Sequence, residues 1–372
     1  MTSTLIIVSL AILALVAKAA FPREQLLRAA LKTGGKEVAV LLPPLLLALL
    51  YKEESKVFVD RLDRLVEHRE DEAWLQRAAA SADARYVPQW RGRSLLHLDH
   101  PEQPVMYLRR DDLPDPEATA TLLGRDEQYC YFTVPVDDRG SEYLLGCHPG
   151  SDFSDLRLAS VQLDEKQAGI LAYAKALLYW QYRNAFCGSC GAPTRLASAG
   201  HRLVCSRTEC ARESFPRIDP AIIVLVTHGD ACLLGHNARW PERRFSTLAG
   251  YVEPGESLED AVTREVFEES RVRLSGIRYV SSQPWPFPAS AMCGFYAEAT
   301  SRDCAPSDEM EQLRWLSAGE LARAIEEDEI RIPPPVSIAF RLVADWYEGR
   351  CGGDLETLVR RAGSWAARKR LE

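Results

Sequence analysis

Between Gly250 and Val272 the chain reads GYVEPGESLEDAVTREVFEESRV, and no other stretch constrains the fold as tightly. Glu265, Glu268 and Glu269 lie three and four residues apart, so a helix brings them to one face. Carboxylates crowded in this way repel one another unless a cation sits among them. Hard oxygen donors with an incomplete cage suit Mg²⁺ or Mn²⁺ taken up together with a substrate phosphate. The flanking residues agree with a turn followed by a helix. Pro254-Gly255 marks the turn, and Ser257 with Asp260 three residues on predicts a capping box with Asp in place of Glu. Val262 and Val266 supply the apolar side of the helix. A solvated acidic face is the usual fate of a charge run, but it gives no reason for the ordered turn and cap.

The rest of the chain has the composition of a folded soluble protein. Its 372 residues suffice for two or three domains, with 47% hydrophobic and 26% charged residues. The net charge of −8 argues against a general affinity for nucleic acid or anionic membrane, while leaving room for a local basic cleft. Ten cysteines in a chain this long are not a disulfide scaffold. Four of them carry metal-ligand spacing, which points to a reducing, cytoplasmic setting.

Residues 1–55 read as a hydrophobic extension. Leu5–Ala17 is almost unbroken apolar sequence, and Val38–Tyr51 is a second uncharged run interrupted by Pro43-Pro44. Both are shorter than the roughly 20 residues a spanning helix needs. Ala17-Lys18-Ala19 resembles a signal-peptide cleavage site, yet no Lys or Arg precedes the first run. Three readings stay open: membrane association through residues 1–51, a buried helical extension, or a start placed too early. Arg23, Arg28, Lys32, Lys36 and Lys52 favour the cytoplasmic face for the first of these.

Residues 56–160 read as a small β-rich domain. Trp74–Ala84 is expected to be helical, while Ser94–Leu98, Tyr129–Val136 and Tyr143-Leu144-Leu145 are expected strands. Turns are expected at Asp137–Gly140 and His148–Gly150. Residues 161–218 open with a helix over Asp164–Asn184, signalled by Asp164 with Gln167 and by Ile170, Leu171, Ala174, Leu177 and Leu178 at helical spacing. Residues 219–350 hold strands at Ala221–Val226, Cys232–Leu234, Arg278–Ser282 and Cys293–Ala299. Helices are expected there at Leu316–Glu327 and Ser337–Tyr347. With the carboxylate helix this is the pattern of an α/β sandwich, followed by a tail over 351–372.

Cys187-x2-Cys190 and Cys205-x4-Cys210 are two thiolate pairs separated by a short stretch. They suit a closed, tetrahedral and therefore structural Zn²⁺ site, with Gly188 and Gly191 allowing the tight turns. Four thiolates leave no position for water, which excludes a catalytic role for that ion. Downstream, Ser282–Ser290 reads SQPWPFPAS. Three prolines stiffen it, so Trp285 and Phe287 have little entropy left to lose and suit stacking against a flat ring. A proline-rich hydrophobic plug is the alternative reading.

The spacing G-x5-E-x7-R-E-V-x-E-E, which places Gly250, Glu256, Arg264, Glu265, Glu268 and Glu269, resembles the Nudix box. Together with the cysteine cluster and the SQPWPFPxS run it is similar to the NADH pyrophosphatase family, over about Val57–Tyr347. One position departs from the pattern: Arg271 stands where the family has a glycine. A glycine there ends the helix in a left-handed conformation, which costs any other residue about 1 kcal/mol.

The resemblance implies a Nudix α/β/α sandwich preceded by a zinc ribbon and the small β-rich domain. It implies Mg²⁺ or Mn²⁺ held by the carbonyl of Ala249 and by Glu265, Glu269 and Glu309, with Glu311 the neighbouring alternative. Zn²⁺ would sit on Cys187, Cys190, Cys205 and Cys210. Gln283, Pro284, Trp285, Pro286, Phe287, Pro288, Ala289 and Ser290 would line the dinucleotide site, with Tyr251 stacking on nicotinamide, Phe215 in place of a frequent Tyr, and Ala339 touching substrate. The implied reaction is hydrolysis of NADH or NAD⁺ to AMP and nicotinamide mononucleotide by a homodimer. Glu268 or Glu269 would take the proton of water, and Arg264 would orient the carboxylates through Glu256. A second reading is removal of the cap from NAD-capped RNA, which calls for a basic groove; Arg207, Arg212, Arg217, Arg239, Arg243 and Arg244 are its candidates. A third is a non-catalytic dinucleotide sensor, which would not need the full carboxylate set.

Overall fold

A computed structural model describes residues 62–97, 100, 104–160 and 162–363 of the chain. The hydrophobic extension read over residues 1–55 lies outside the described residues. Among those described, no helix is long and apolar enough to cross a membrane.

The amino-terminal half contains α1 (Glu72–Ala79), β1 (Ala84–Trp90), β2 (Arg93–Leu96), β3 (Thr121–Arg125), β4 (Cys130–Pro135), α2 (Asp138–Cys147), β5 (Asp152–Ser154), α3 (Leu156–Ala159) and α4 (Glu165–Arg183). Its five strands form one mixed sheet in the order β3-β4-β1-β2-β5, with β1 and β4 parallel and the other pairs antiparallel. The sheet is covered by α4, whose start is fixed as the sequence predicts: Asp164 accepts from the Gln167 amide at 2.7 Å while Gln167 accepts from the Asp164 amide at 3.4 Å. From this helix Ala168, Ile170, Leu171, Ala174 and Leu177 pack on Val87, Leu96, Leu123 and Tyr131.

Three local expectations change in this half or at its equivalent downstream. Tyr143–Leu145 is not a strand but part of α2. Asp137, read as opening a turn, accepts from the Gly140 amide at 2.7 Å and caps the helix, and the buried residues Gly140, Ser141 and Leu144 follow helical spacing. The helix expected to reach Ala84 ends at Ala79, and Ala84 opens β1. Leu316 belongs to a strand, because the following helix begins only after Ser317, which caps it reciprocally with Glu320.

A three-stranded antiparallel sheet of β6 (Thr194–Ala197), β7 (Arg202–Cys205) and β8 (Glu213–Ser214) follows and carries the four grouped cysteines. The second large sheet is built from β9 (Asp219–His228), β10 (Ala231–Asn237), β12 (Leu274–Trp285), β13 (Ser290–Ala299) and β14 (Met310–Ser317), in the order β12-β13-β9-β10-β14. Here β9 and β13 are parallel, and β11 (Leu248–Tyr251) also pairs with β9. One face packs on α5 (Leu258–Ser270) through Val262 and Val266. The other packs on α6 (Ala318–Glu326), α7 (Ile338–Cys351) and α8 (Leu355–Arg361). This is the α/β sandwich expected for residues 219–350, built on a mixed sheet.

The two large sheets share strand order and polarity. Each begins with an antiparallel hairpin, places its fourth-in-line partner parallel to the first strand, and closes on the edge with its last strand. The second half inserts β11 and α5 between its second and third core strands; the first has no helix of that kind between β2 and β3 among the described residues. The repeat has no signature in the local sequence patterns.

The segment read as a tail contains α8, whose Leu355, Leu358 and Val359 are buried in the core beneath α6 and α7. Leu355 is 0% exposed, so Leu355→Ala is expected to cost about 2–5 kcal/mol, read as a lowered denaturation midpoint at unchanged slope. An unaltered midpoint would detach α8 from the folded core.

Candidate active site

The site is assembled where α5 crosses β11. Ser257 and Asp260 cap the helix reciprocally, at 3.1 and 3.2 Å, which fixes the register that turns Glu265 and Glu269 toward the strand. Gly250 makes this approach possible. A Cβ at that position would lie 1.9 Å from the carboxylate carbon of Glu265, so a methyl group there and the carboxylate cannot coexist. At the far end of the helix Arg271 adopts the left-handed conformation itself, with φ of 62°, and its amide bonds to Phe267 O at 2.8 Å. Its guanidinium and that of Arg273 lie 5.4 and 5.1 Å from the Phe267 ring. The helix therefore ends where a glycine would have ended it.

Arg264 organises the other carboxylates. It pairs with Glu256 through two nitrogens, one of them at 3.0 Å, and with Glu265 at 2.9 Å and Glu268 at 3.0 Å; it also donates to Tyr251 O at 2.9 Å. Glu256 in turn accepts from the Glu253 amide at 3.0 Å, which ties the turn before the helix to its middle. Glu269 is different. It is 5% exposed, and its one hydrogen bond among the described residues comes from the Ala249 amide at 3.3 Å. Burial, with the Glu265 charge adding to it, pushes its carboxyl up to about 8; burial also raises that of Glu265.

A further carboxylate is expected from Glu309 or, as the neighbouring alternative, from Glu311. Glu309 is close enough for its charge to act on both Glu265 and Glu269, whereas Glu311 lies 3.6 Å from His236. A buried carboxylate with one weak donor, a second against a bare glycine, and a third whose charge acts on both make a set of hard oxygen donors in one neighbourhood. That set fits a divalent cation shared with phosphate oxygens.

The aromatic loop occupies the tip of the β12–β13 hairpin, where Trp285 pairs with Ser290. Tyr251, 55% exposed, points its hydroxyl at Ser290 Oγ across 3.3 Å, which joins the loop to the carboxylate centre. Gln283 is 2% exposed and bridges Val336 O at 2.9 Å and the Ile338 amide at 2.7 Å. It thereby clamps the backbone that follows Pro333, Pro334 and Pro335 rather than facing an opening. Trp285 and Phe287 stand edge to face, 5.0 Å apart, and pack with Val336 against the core of the amino-terminal half. Pro286 is buried, while Pro284 and Pro288 are exposed and Ala289 lies between the two; Ala289 O accepts from the Asp219 amide at 2.8 Å. Ala339 is buried in the first turn of α7. Phe215 is 61% exposed, and no hydrogen bond or ring contact joins it to the hairpin among the described residues.

Sequence reasoning missed Arg157 and Lys175, which lie 4.4 and 5.6 Å from the Phe287 ring. Both come from the other half of the chain, and no local pattern marks them.

The four cysteines converge as their spacing predicts. All their sulfurs lie within 4.8 Å of one another, with Cys187–Cys210 at 3.8 Å and Cys190–Cys205 at 3.5 Å. A tetrahedral thiolate site with metal–sulfur bonds of about 2.3 Å has edges of about 3.8 Å. Backbone amides, that of Ser189 foremost, pull the Cys187 thiol down to about 6, while burial pushes Cys205 up to about 12.

This fold and carboxylate constellation define a Nudix domain, and residues 217–334 match that domain family. Residues 83–180 match the NADH pyrophosphatase-like rudimentary NUDIX domain. The NAD-capped RNA hydrolase NudC of Pseudomonas aeruginosa is 39% identical over 212 residues, covering 57% of this chain and 72% of that protein. The NAD-capped RNA hydrolase NUDT12 of Homo sapiens is 36% identical over 234 residues, covering 59% of this chain and 51% of that protein. Nudix hydrolase 19, chloroplastic, of Arabidopsis thaliana is 33% identical over 282 residues, covering 68% of this chain and 64% of that protein. The chain belongs to the NADH pyrophosphatase family of Nudix hydrolases. It spans about half the length of NUDT12 and its primate counterparts.

The raised Glu269 carboxyl gives a pH signature. A folded-state value near 8 against an unfolded value near 4.5 means that the folded chain holds an extra proton between them. This contribution is fully present below the unfolded value and is lost as pH rises through about 8. Without added divalent cation, urea midpoints are expected to fall from pH 5 to 8.5, and Glu269→Gln is expected to flatten that slope. An identical slope in the variant would contradict the assignment.

Proposed function

We propose that the chain hydrolyses the diphosphate of NADH or NAD⁺ to AMP and nicotinamide mononucleotide. The observation that carries this reading is the approach of Glu265 and Glu269 to the glycine strand, joined through Tyr251 and Ser290 to a rigid aromatic hairpin. Ala249 through its carbonyl, with Glu265, Glu269 and Glu309, would hold Mg²⁺ or Mn²⁺. Such an ion, when bound, neutralises the diphosphate and lowers the pKa of a water. Arg264 holds Glu256, Glu265 and Glu268 by ion pairs. Glu268 is exposed, and only its Oε2 is engaged by Arg264, which leaves Oε1 to accept a proton from water. Glu269 is the alternative acceptor, but its burial suits it better to holding the cation.

The exposed Tyr251 ring is the surface on which nicotinamide would stack. Trp285 and Phe287 support this reading indirectly, since they seat the hairpin instead of presenting open faces. A sensor without catalysis would have no use for the carboxylate set. The same chemistry on NAD-capped RNA is supported by the names its relatives carry. Of the arginines proposed for an RNA groove, Arg217 and Arg243 pair with Asp219 and Asp328, and Arg212 bonds Ser189. The three-stranded sheet with its four sulfurs is proposed as a zinc ribbon. A homodimer in the cytoplasm is proposed from family membership alone.

Glu265→Gln is expected to lower kcat on NADH by at least about 100-fold with an unchanged circular dichroism spectrum, and the wild-type products are expected to be AMP and nicotinamide mononucleotide. Retained activity, or other products, would reject the reading. Metal analysis of the purified chain should find one zinc per chain, and stripping it with a mercurial thiol reagent should unfold the ribbon; a zinc-free yet stable protein would remove the ribbon assignment.

A further inference from the structure

We infer that Lys175 and Arg157 are positioning residues for the nicotinamide end of the substrate: they hold the Phe287 ring at the tip of the β12–β13 hairpin, and through Ser290 they set where the Tyr251 ring stands. The inference rests on the diphosphatase reading and concerns how this chain tells a dinucleotide from a simpler diphosphate.

The two cations come from different helices of the amino-terminal half, Arg157 from α3 and Lys175 from α4. The Arg157 guanidinium lies 4.4 Å and the Lys175 ammonium 5.6 Å from the centre of the Phe287 ring, and Trp285 stands edge to face with the same ring at 5.0 Å. A cation is drawn to the negative face of an aromatic ring, and more strongly where water is excluded. Lys175 also donates to Gly92 O in the β1–β2 turn, and a Cβ on Gly92, whose φ is 72°, would lie 3.2 Å from the ammonium. Burial lowers the Lys175 ammonium from its ordinary value; Asp155 opposes this, and Arg157 and Arg93 add to it. Among the described residues neither Lys175 nor Arg157 forms an ion pair, so the ring and the Gly92 carbonyl are what hold these cations in place.

Phe287 belongs to the tip that joins the paired residues Trp285 and Ser290. Ser290 is buried, and its Oγ meets the Tyr251 hydroxyl at 3.3 Å. The Tyr251 carbonyl, by contrast, accepts from Arg264 at 2.9 Å. The main chain of Tyr251 is therefore fixed by the carboxylate helix, whereas its exposed ring is located by the hairpin. A shift of Phe287 displaces Ser290 and with it the Tyr251 ring. It leaves the contact between Gly250 and Glu265 untouched, because the helix cap and the pairing of β11 with β9 hold that contact. Loss of the two cations should thus weaken the grip on a flat ring and spare the diphosphate chemistry.

The test measures kcat and KM of the full chain for NADH and for ADP-ribose, which carries the same diphosphate without the nicotinamide; if ADP-ribose is not cleaved, its inhibition constant against NADH takes the place of KM. Lys175→Met and Arg157→Gln are each expected to raise KM for NADH about fivefold with kcat held within about twofold, and to leave the constants for ADP-ribose unchanged. Arg157 is exposed, so its variant reports even if Lys175→Met does not fold. In a Tyr251→Ala background neither substitution should raise KM for NADH further, since the ring through which they act is gone. Unchanged constants for NADH, equal losses on both compounds, a fall in kcat at constant KM, or an undiminished effect in the Tyr251→Ala background would each overturn the inference. Failure of the diphosphatase reading looks different: the wild-type chain would then cleave no NADH.

Discussion

The half that carries the carboxylate helix depends on one close approach, the Glu265 carboxylate lying against the bare Cα of Gly250. Everything around it serves to hold that contact. The cap at Ser257 sets where the helix begins, Val262 and Val266 press it onto the sheet, and Arg264 ties Glu256, Glu265 and Glu268 together. The consequence is electrostatic. A helix pulled this close to a strand buries Glu269 with a single weak donor, and a buried carboxylate in that position must hold either a proton or a metal. The need for a counter-charge at Glu269 is thus a result of packing, not an addition to it.

The hairpin is anchored by a different means. Gln283 spends both ends of its amide on the backbone around Val336, and Trp285 and Phe287 insert into the core of the amino-terminal half. The Trp285 and Phe287 rings therefore pack inward, and the exposed ring at the site is Tyr251. Rigidity at the hairpin comes from the contact between two halves as much as from its prolines.

Much of this was legible in the sequence. The carboxylate helix with its cap, the helix opening at Asp164, the buried strand at Ala221–Val226 and the four-cysteine cluster are local patterns in which propensity, periodicity and spacing agree. The misreadings share a cause. Tyr143–Leu145 has strand-forming residues but is governed by the cap at Asp137, and Leu316 was drawn into a helix that Ser317 begins. In both cases a single capping side chain outweighed the propensity of its neighbours. The topological repeat, the docking of Phe287 between Arg157 and Lys175, and the burial of α8 are contacts between distant segments, which leave no periodic trace.

The repeated sheet bears on what counts as a unit in this protein. The stretch that matches the Nudix domain, residues 217–334, has a sheet and carboxylates of its own, yet it shares two of its aromatic residues with the core of another fold. Excised, it would present Trp285 and Phe287 to water and lose the surface that seats its hairpin. The half that lacks a carboxylate helix keeps the remaining skeleton as a mould for its sibling, so a wedge driven between the two would unseat the hairpin without touching Glu265 or Glu269.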